Sequence, residues 1–190
     1  MIKNVLLVGV GGQGTILAGK LLTLGLMEAG YDVKMSEIHG MSQRGGSVTT
    51  HIRYGDQKVY SPVIEKGDAD IIVAFEKMEA LRYLDYLKED GHVVVNDIEI
   101  PGMPITSGNV EYPAGITEEL KKHARTTVVN ATQKALEVGS IKVMNVVLLG
   151  TIVAGMNLQH INWDKIITEN VKPAFVELNK KALKTGEAML

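Results

Sequence analysis

Short apolar runs alternate along the chain with longer segments whose apolar residues recur at helical spacing. Lys3 to Gly9 is a Val- and Leu-rich run ending at glycine, the pattern of a strand buried on both faces of a parallel sheet. Ile16, Leu17, Leu21 and Leu24, with the small Ala18, give the next segment a core stripe through about Ala29, and Gly30 supplies a stop. Asp32 to Glu37 predicts a second strand, so the chain opens as a βαβ unit. Residues 39 to 46, HGMSQRGG, follow neither period and predict a loop. From Ser47 the pattern alternates strictly: Val48, Thr50, Ile52 and Tyr54 share one side of a strand, with Ser47, Thr49, His51 and Arg53 on the other. Gly55-Asp56-Gln57 followed by Lys58-Val59-Tyr60 predicts a hairpin return.

Asp70 to Phe75 reads as another buried strand. Met78, Leu81, Leu84 and Leu87 mark a helix after it, stopped at Gly91, and His92 to Asn96 is the following strand. Pro101, Pro104 and Gly108 punctuate a loop, Thr126 to Asn130 is a last short strand, and everything from Ala131 onward has helical character. Ile141 to Gly155 is apolar nearly all round. With no repeat, linker or convincing boundary, residues 1–190 read as one α/β domain. Its expected fold is Rossmann-like, a doubly wound, mostly parallel sheet with an antiparallel hairpin insertion near residues 47 to 60 and a helical C-terminal part.

Composition narrows the function classes. The chain has 190 residues, 45% of them hydrophobic, and a formal net charge of -2, which suits a globular protein with a full core. It has no basic cluster of the kind that phosphate contacts require, so nucleic acid is not an expected partner. The longest apolar stretch, Val143 to Met156, is interrupted by Asn145, Gly150, Thr151 and Gly155. It falls short of the ~20 residues that cross a bilayer, so no membrane partner is expected either. The start lacks the features of a signal peptide, which places the chain in the cytoplasm as an expectation. No cysteine occurs, so the chain can supply neither a thiol nucleophile nor thiolates for zinc or an iron-sulfur cluster.

Two phosphate-binding patterns overlap in GVGGQGTILAGK, residues 9 to 20. Gly9-x-Gly11-x-x-Gly14 follows a strand and opens a helix, the context of a dinucleotide turn in which backbone N–H groups close on an anion at a positive helix end. Glu37, at the end of the second strand, is placed to hold ribose hydroxyls in such a site. A freestanding NAD- or FAD-dependent oxidoreductase, or a nucleotide-binding module, is therefore one reading. A tight βα turn wants glycine without any ligand, however, and packing is the simpler use. The P-loop frame fails, because Leu21 stands where Ser or Thr would ligate magnesium.

GVGGQG, taken with SEIHGMSQRGGSVTTHIR at residues 36 to 53 and the late VMNVVLLGTIVAG helix, resembles the gamma domain of the 2-oxoacid:ferredoxin oxidoreductase superfamily, and in size and arrangement the small subunit of its indolepyruvate type. The resemblance covers essentially the whole chain. It implies an accessory subunit of a heteromeric enzyme that oxidatively decarboxylates aryl pyruvates to acyl-CoA. Thiamine diphosphate, magnesium and iron-sulfur clusters would reside on a large catalytic subunit, with coenzyme A as co-substrate and ferredoxin reached through the holoenzyme. No catalytic and no metal-ligating residue is expected in this chain. The nearest candidate for the thiamine diphosphate motif is Glu89-Asp90-Gly91, and Asn-Asn is absent. Candidate contact residues, facing coenzyme A or the subunit interface, are Gly9, Gly11, Gly12, Gln13 and Gly14 in the turn and Ser42, Gln43, Arg44, Gly45 and Gly46 in the loop. Packing against the partner is the preferred role for the turn. The sequence leaves open whether the isolated chain forms a homo-oligomer.

Among the remaining residues, His39 and His51 lack the further ligands a metal would need and read as polar-face or loop histidines. Asn145, inside an apolar helix, must find a hydrogen bond in the core or across a subunit contact. Trp163 reads as a packing anchor for the terminal helices. Lys180, Lys181 and Lys184 read as a solvated face.

Overall fold

The structure, a computed structural model, describes residues 1–40 and 45–190. Its centre is a six-stranded sheet in the order β2-β3-β1-β4-β5-β6, with β1 at Ile2–Val10, β2 at Asp32–His39, β3 at Ser47–Gly55, β4 at Ala69–Ala74, β5 at Leu87–Asn96 and β6 at Arg125–Val129. β1, β4, β5 and β6 pair in parallel. β3 lies antiparallel between β1 and β2, so it is the one reversed strand.

Alternation explains the two layers. Val5 and Leu7 of β1 pack into one core with α1 (Thr15–Glu28), whereas Leu6 and Val8 enter a second core on the opposite face. The first core also holds α5 (Ala131–Val138), α6 (Met144–Gly155), α7 (Trp163–Asn170) and α8 (Val176–Glu187). The second is covered by α2 (Lys77–Arg82) and α4 (Ile116–His123), with a single-turn α3 (Met103–Thr106) on the connection between β5 and α4. Helices on both faces of a mostly parallel sheet make this a doubly wound α/β fold, with β2 and β3 forming the antiparallel hairpin. The alternation read from Ser47 onward holds: Ile52 and Tyr54 join the α1-side core, while His51 turns to the other side and accepts the Ile64 N–H at 3.1 Å.

The helix expected from Ile141 starts as a 3-10 turn (Ile141–Val143) and continues as α6, which is buried on every side. Two glycines make that possible. A Cβ on Gly150 would lie 2.2 Å from the Leu183 carbonyl oxygen of α8, and one on Gly186 would lie 1.8 Å from the Val147 carbonyl oxygen. Trp163 serves as the expected anchor: its Nε1–H donates to the Leu158 carbonyl at 3.0 Å and its ring fills the space left by Gly25.

Three sequence expectations are corrected. Residues 58–60 form no strand, because both edges of β3 are already taken by β1 and β2; Val59 instead buries its side chain and donates its N–H to Asp32 Oδ2 at 2.7 Å. The helix expected to run to Gly91 ends at Arg82, because Leu87 pairs with Ala69 and begins β5. Gly91 is then no helix stop. It sits at the irregular step of the β4–β5 ladder, where a Cβ would meet Leu87 Cδ1 at 2.6 Å. The segment from Gly108 to Thr126, given no element by periodicity, contributes α4, which buries only Ile116 and Leu120.

Candidate functional site

The parallel strands end at one side of the sheet, and there the two sequence motifs meet. After β1 the chain turns through Gly11 to Gly14, with Gly12 at φ +99° and Gly14 at φ +80°, backbone that favours glycine. Gly11 N–H donates to the Gly46 carbonyl at 2.9 Å, tying the glycine turn to the end of the loop before β3. Gln13 folds back into the turn. Its Oε1 accepts the Val10 N–H and its Nε2 donates to the Phe75 carbonyl at the end of β4, both at 2.8 Å. Ser42, Gln43 and Arg44 lie outside the described residues, whereas Gly45 adopts φ +77° with open space where a side chain would be.

Gly9 and Gly14 have internal reasons to be glycine. A Cβ at Gly9 would stand 2.9 Å from both Gln13 Oε1 and Phe75 Cβ, and one at Gly14 would stand 2.8 Å from Asn145 Nδ2. Asn145 reaches across from α6 to donate to the Gly14 carbonyl at 3.1 Å, the core partner its burial demands; its Oδ1 has none among the described residues. Gly12 meets nothing within 4 Å and faces outward.

A cleft of about 450 Å³ opens on the α1 side, lined by Gly11, Gly12, Gly14, Thr15, Ile16, Glu37, His39 and Val48. The first-turn amides of α1 receive no side-chain cap, so the cleft offers an anion some backbone donors. It departs from a dinucleotide site in two respects. The Gly11 amide is spent on Gly46 and the Val10 amide on Gln13. β3 also stands between β1 and β2, so Glu37 lies two strand spacings from β1, about 9.6 Å, in place of the single spacing that brings an acidic residue onto a ribose. His39 and His51 do not converge: His39 pairs with Val48 on the α1 side and is exposed, while His51 is buried on the other face, where burial pushes its pKa below 6.5. Among the described residues no group of three His, Cys, Asp or Glu side chains could hold a metal, and no helix is long and apolar enough to cross a membrane.

Sequence reasoning missed the groups on the opposite face. Glu76 is wholly buried at the N-cap of α2, where its carboxylate accepts the N–H groups of Glu79 at 3.0 Å and Ile100 at 3.2 Å and the Tyr112 hydroxyl. Burial, then the hydrogen bond to Glu76, pushes the Tyr112 phenol far above its usual range, so it stays a donor. Glu79 in turn accepts from Arg82 Nε at 3.0 Å and from the Ser47 hydroxyl, which also meets Tyr83 Oη at 2.9 Å. Ser47, Glu76, Glu79 and Arg82 line a second cleft, of about 760 Å³, together with Ile100 to Thr106. The available signal was Glu-x-x-Glu directly after a buried strand, a capping spacing.

Among the described residues, the contacts of Gly11, Gln13, Asn145 and Glu76 hold the protein's own loops in place. Fold and site together define a doubly wound α/β protein whose glycine turn is held in part by its own Gly46, Gln13 and Asn145. The family model for pyruvate ferredoxin/flavodoxin oxidoreductase matches residues 4–189, and the chain belongs to that family. It is 38% identical over 191 residues to the indolepyruvate oxidoreductase subunit IorB of Pyrococcus horikoshii, covering 96% of this chain and 93% of that one. The Archaeoglobus fulgidus subunit of the same name is 39% identical, with 96% and 92% covered. Among solved structures, the gamma subunit of a keto/oxoacid ferredoxin oxidoreductase from Geobacter sulfurreducens superposes with TM-score 0.73 at 26% identity, covering 98% of this chain and 97% of that one. The fold also matches 31% of a longer chain, a 2-oxoglutarate:ferredoxin oxidoreductase from Magnetococcus marinus, with TM-score 0.75 at 20% identity and 99% of this chain covered.

Proposed function

We propose that this chain is the accessory subunit of an indolepyruvate-type 2-oxoacid:ferredoxin oxidoreductase, which converts an aryl pyruvate, coenzyme A and oxidised ferredoxin to the acyl-CoA, carbon dioxide and reduced ferredoxin. The observation that carries the reading is the end-to-end correspondence with indolepyruvate oxidoreductase subunits, at 38% identity over 96% of this chain and 93% of the relative.

The residues present do not fit the redox and decarboxylating groups. A cluster needs thiolates, and the chain has no cysteine; Glu89-Asp90-Gly91 is occupied as the irregular step of β5. Thiamine diphosphate, magnesium and iron-sulfur clusters therefore belong to the larger subunit in this reading, which also places the complex in the cytoplasm. Coenzyme A fits less poorly. The uncapped amides of α1 beside Gly12 suit a phosphate group, but packing remains the preferred role for a turn that already spends two amides internally. Gly11, Gly12, Gly45 and Gly46 then present an edge to the partner, with Gly9, Gln13 and Gly14 shaping it from behind; Ser42, Gln43 and Arg44, outside the described residues, stay candidates for the same contact.

Co-expression with candidate large subunits tests the reading. Copurification with a cysteine-rich, thiamine diphosphate-binding chain, and turnover of aryl pyruvates in preference to pyruvate or 2-oxoglutarate, are the expected results. Turnover of an aryl pyruvate by this chain as the sole protein besides ferredoxin would refute it.

A further inference from the structure

α1 is an anomaly for a helix on the surface. An outward stripe is normally polar, yet TILAGKLLTLGLME carries only Lys20 and Glu28 as charges, and its outer side shows Ile16 at 59% and Met27 at 57% exposure. The apolar surface continues past the helix start. Leu17 forms one wall of a cleft of about 290 Å³ with Val143, Val171, Phe175 and Leu178, and Ile141 and Phe175 stand beside it at 53% and 49% exposure. Lys142 and Lys172 line the same cleft. Neither they nor Lys20 is in an ion pair among the described residues, although most lysines elsewhere on this acidic chain have a carboxylate partner.

We infer that this face, from Ile16 on α1 to Phe175 before α8, is the docking surface for the larger subunit, which presents an apolar anchor to the cleft and carboxylates to Lys20, Lys142 and Lys172. The inference rests on the accessory-subunit reading and adds to it the place and chemistry of the contact. Two observations choose the occupant. The exposed apolar positions of α1 run from Ile16 to Met27, about 16 Å along the helix, and with the adjoining cleft exceed what a small ligand covers, which suits a protein surface. Unpaired cations around an apolar centre favour an acidic rim, since opposite charges steer encounter and like charges repel it. The carboxylates nearest in the chain to this face, Glu28 on α1 and Glu177 after Phe175, already pair with Lys165 and Lys180, which leaves Lys20, Lys142 and Lys172 for the partner.

The test uses the complete chain with its large subunit. The double variant Ile16→Asp/Phe175→Asp changes exposed side chains, so its fold is checked by its melting curve and is expected to hold; affinity for the large subunit should fall roughly 100-fold or more, as for loss of central anchors. The double variant Lys142→Glu/Lys172→Glu should slow association, most strongly at low salt, where the introduced like-charge repulsion is least screened. Tyr60→Asp, at a residue 84% exposed that does not line this cleft, should bind as the wild type does. Wild-type affinity in the Ile16→Asp/Phe175→Asp variant overturns the docking surface and leaves the subunit reading intact. Failure of the wild-type chain to bind any large subunit overturns both, at the first control.

Discussion

Replacing Gly186 by alanine probes the crossing of α6 and α8. A helical position ordinarily gains about 1 kcal/mol when Gly becomes Ala. Here the new methyl would lie 1.8 Å from the Val147 carbonyl oxygen and 3.0 Å from Gly150 Cα. Both obstacles are backbone, so no rotamer change relieves them, and α8 must move out by roughly 1.5 Å to restore ordinary contact. That displacement lifts Ala182 and Leu183, both buried, off α6, and a gap of 0.5–1 Å already forfeits about a quarter to a half of each contact. Overpacking costs about 1–3 kcal/mol and more against an unyielding wall. After the propensity gain, the net loss is about 2 kcal/mol or more. Equilibrium urea unfolding should show the midpoint falling by about 1 M at an unchanged slope of ~2 kcal/mol/M, with Tm lower by about 4–8 °C. Lys181→Ala, exposed on the same helix, should stay within ~0.5 kcal/mol of the wild type. An unchanged or raised midpoint in Gly186→Ala would show that the two helices do not cross at backbone contact.

Further outcomes follow from the buried polar groups. His51 accepts the Ile64 N–H through Nδ1 and burial holds its pKa below 6.5; burial, then the charge of Arg125, does the same for His92. The unfolded chain therefore takes up these protons more readily, so stability is full above pH 6.5 and falls as the pH drops below it. Urea midpoints measured at pH 7.5 and 5.5 should show the loss, and His51→Asn, which keeps an acceptor but cannot titrate, should reduce it without removing the share of His92. Glu76→Ala strips the acceptor from Glu79 N–H, Ile100 N–H and Tyr112 and should cost about 3 kcal/mol. Glu76→Gln, which retains an oxygen, should cost markedly less, and hydrogen exchange at the Ile100 amide should quicken in the alanine variant alone.

The candidate site was legible as far as its parts were local. GVGGQG reads as a turn because a buried apolar run stops at glycine and a helical stripe begins after it, and β1 and α1 stand where that pattern puts them. The purpose of its glycines was not legible. Gly9 answers to Phe75, 66 positions away, and Gly14 to Asn145 on α6, contacts that no spacing within the motif encodes. Glu76 and Glu79 were passed over because charged residues after a strand usually meet water, and only distant segments supply their partners, Ile100 and Tyr112 for Glu76 and Ser47 for Glu79.

The amino-acid sequence by itself determined β1, α1, β3 and β4, the all-round burial of the helix within Ile141 to Gly155, and, through the lack of cysteine, that no thiolate is available to a cluster. Only the tertiary structure decided which strands pair. β3 inserts between β1 and β2, denies residues 58–60 an edge and carries Glu37 away from the glycine turn. The physical reason is that hydrogen bonding along a helix closes within four residues, whereas a strand's partner is chosen by the competition of distant segments for the same edge.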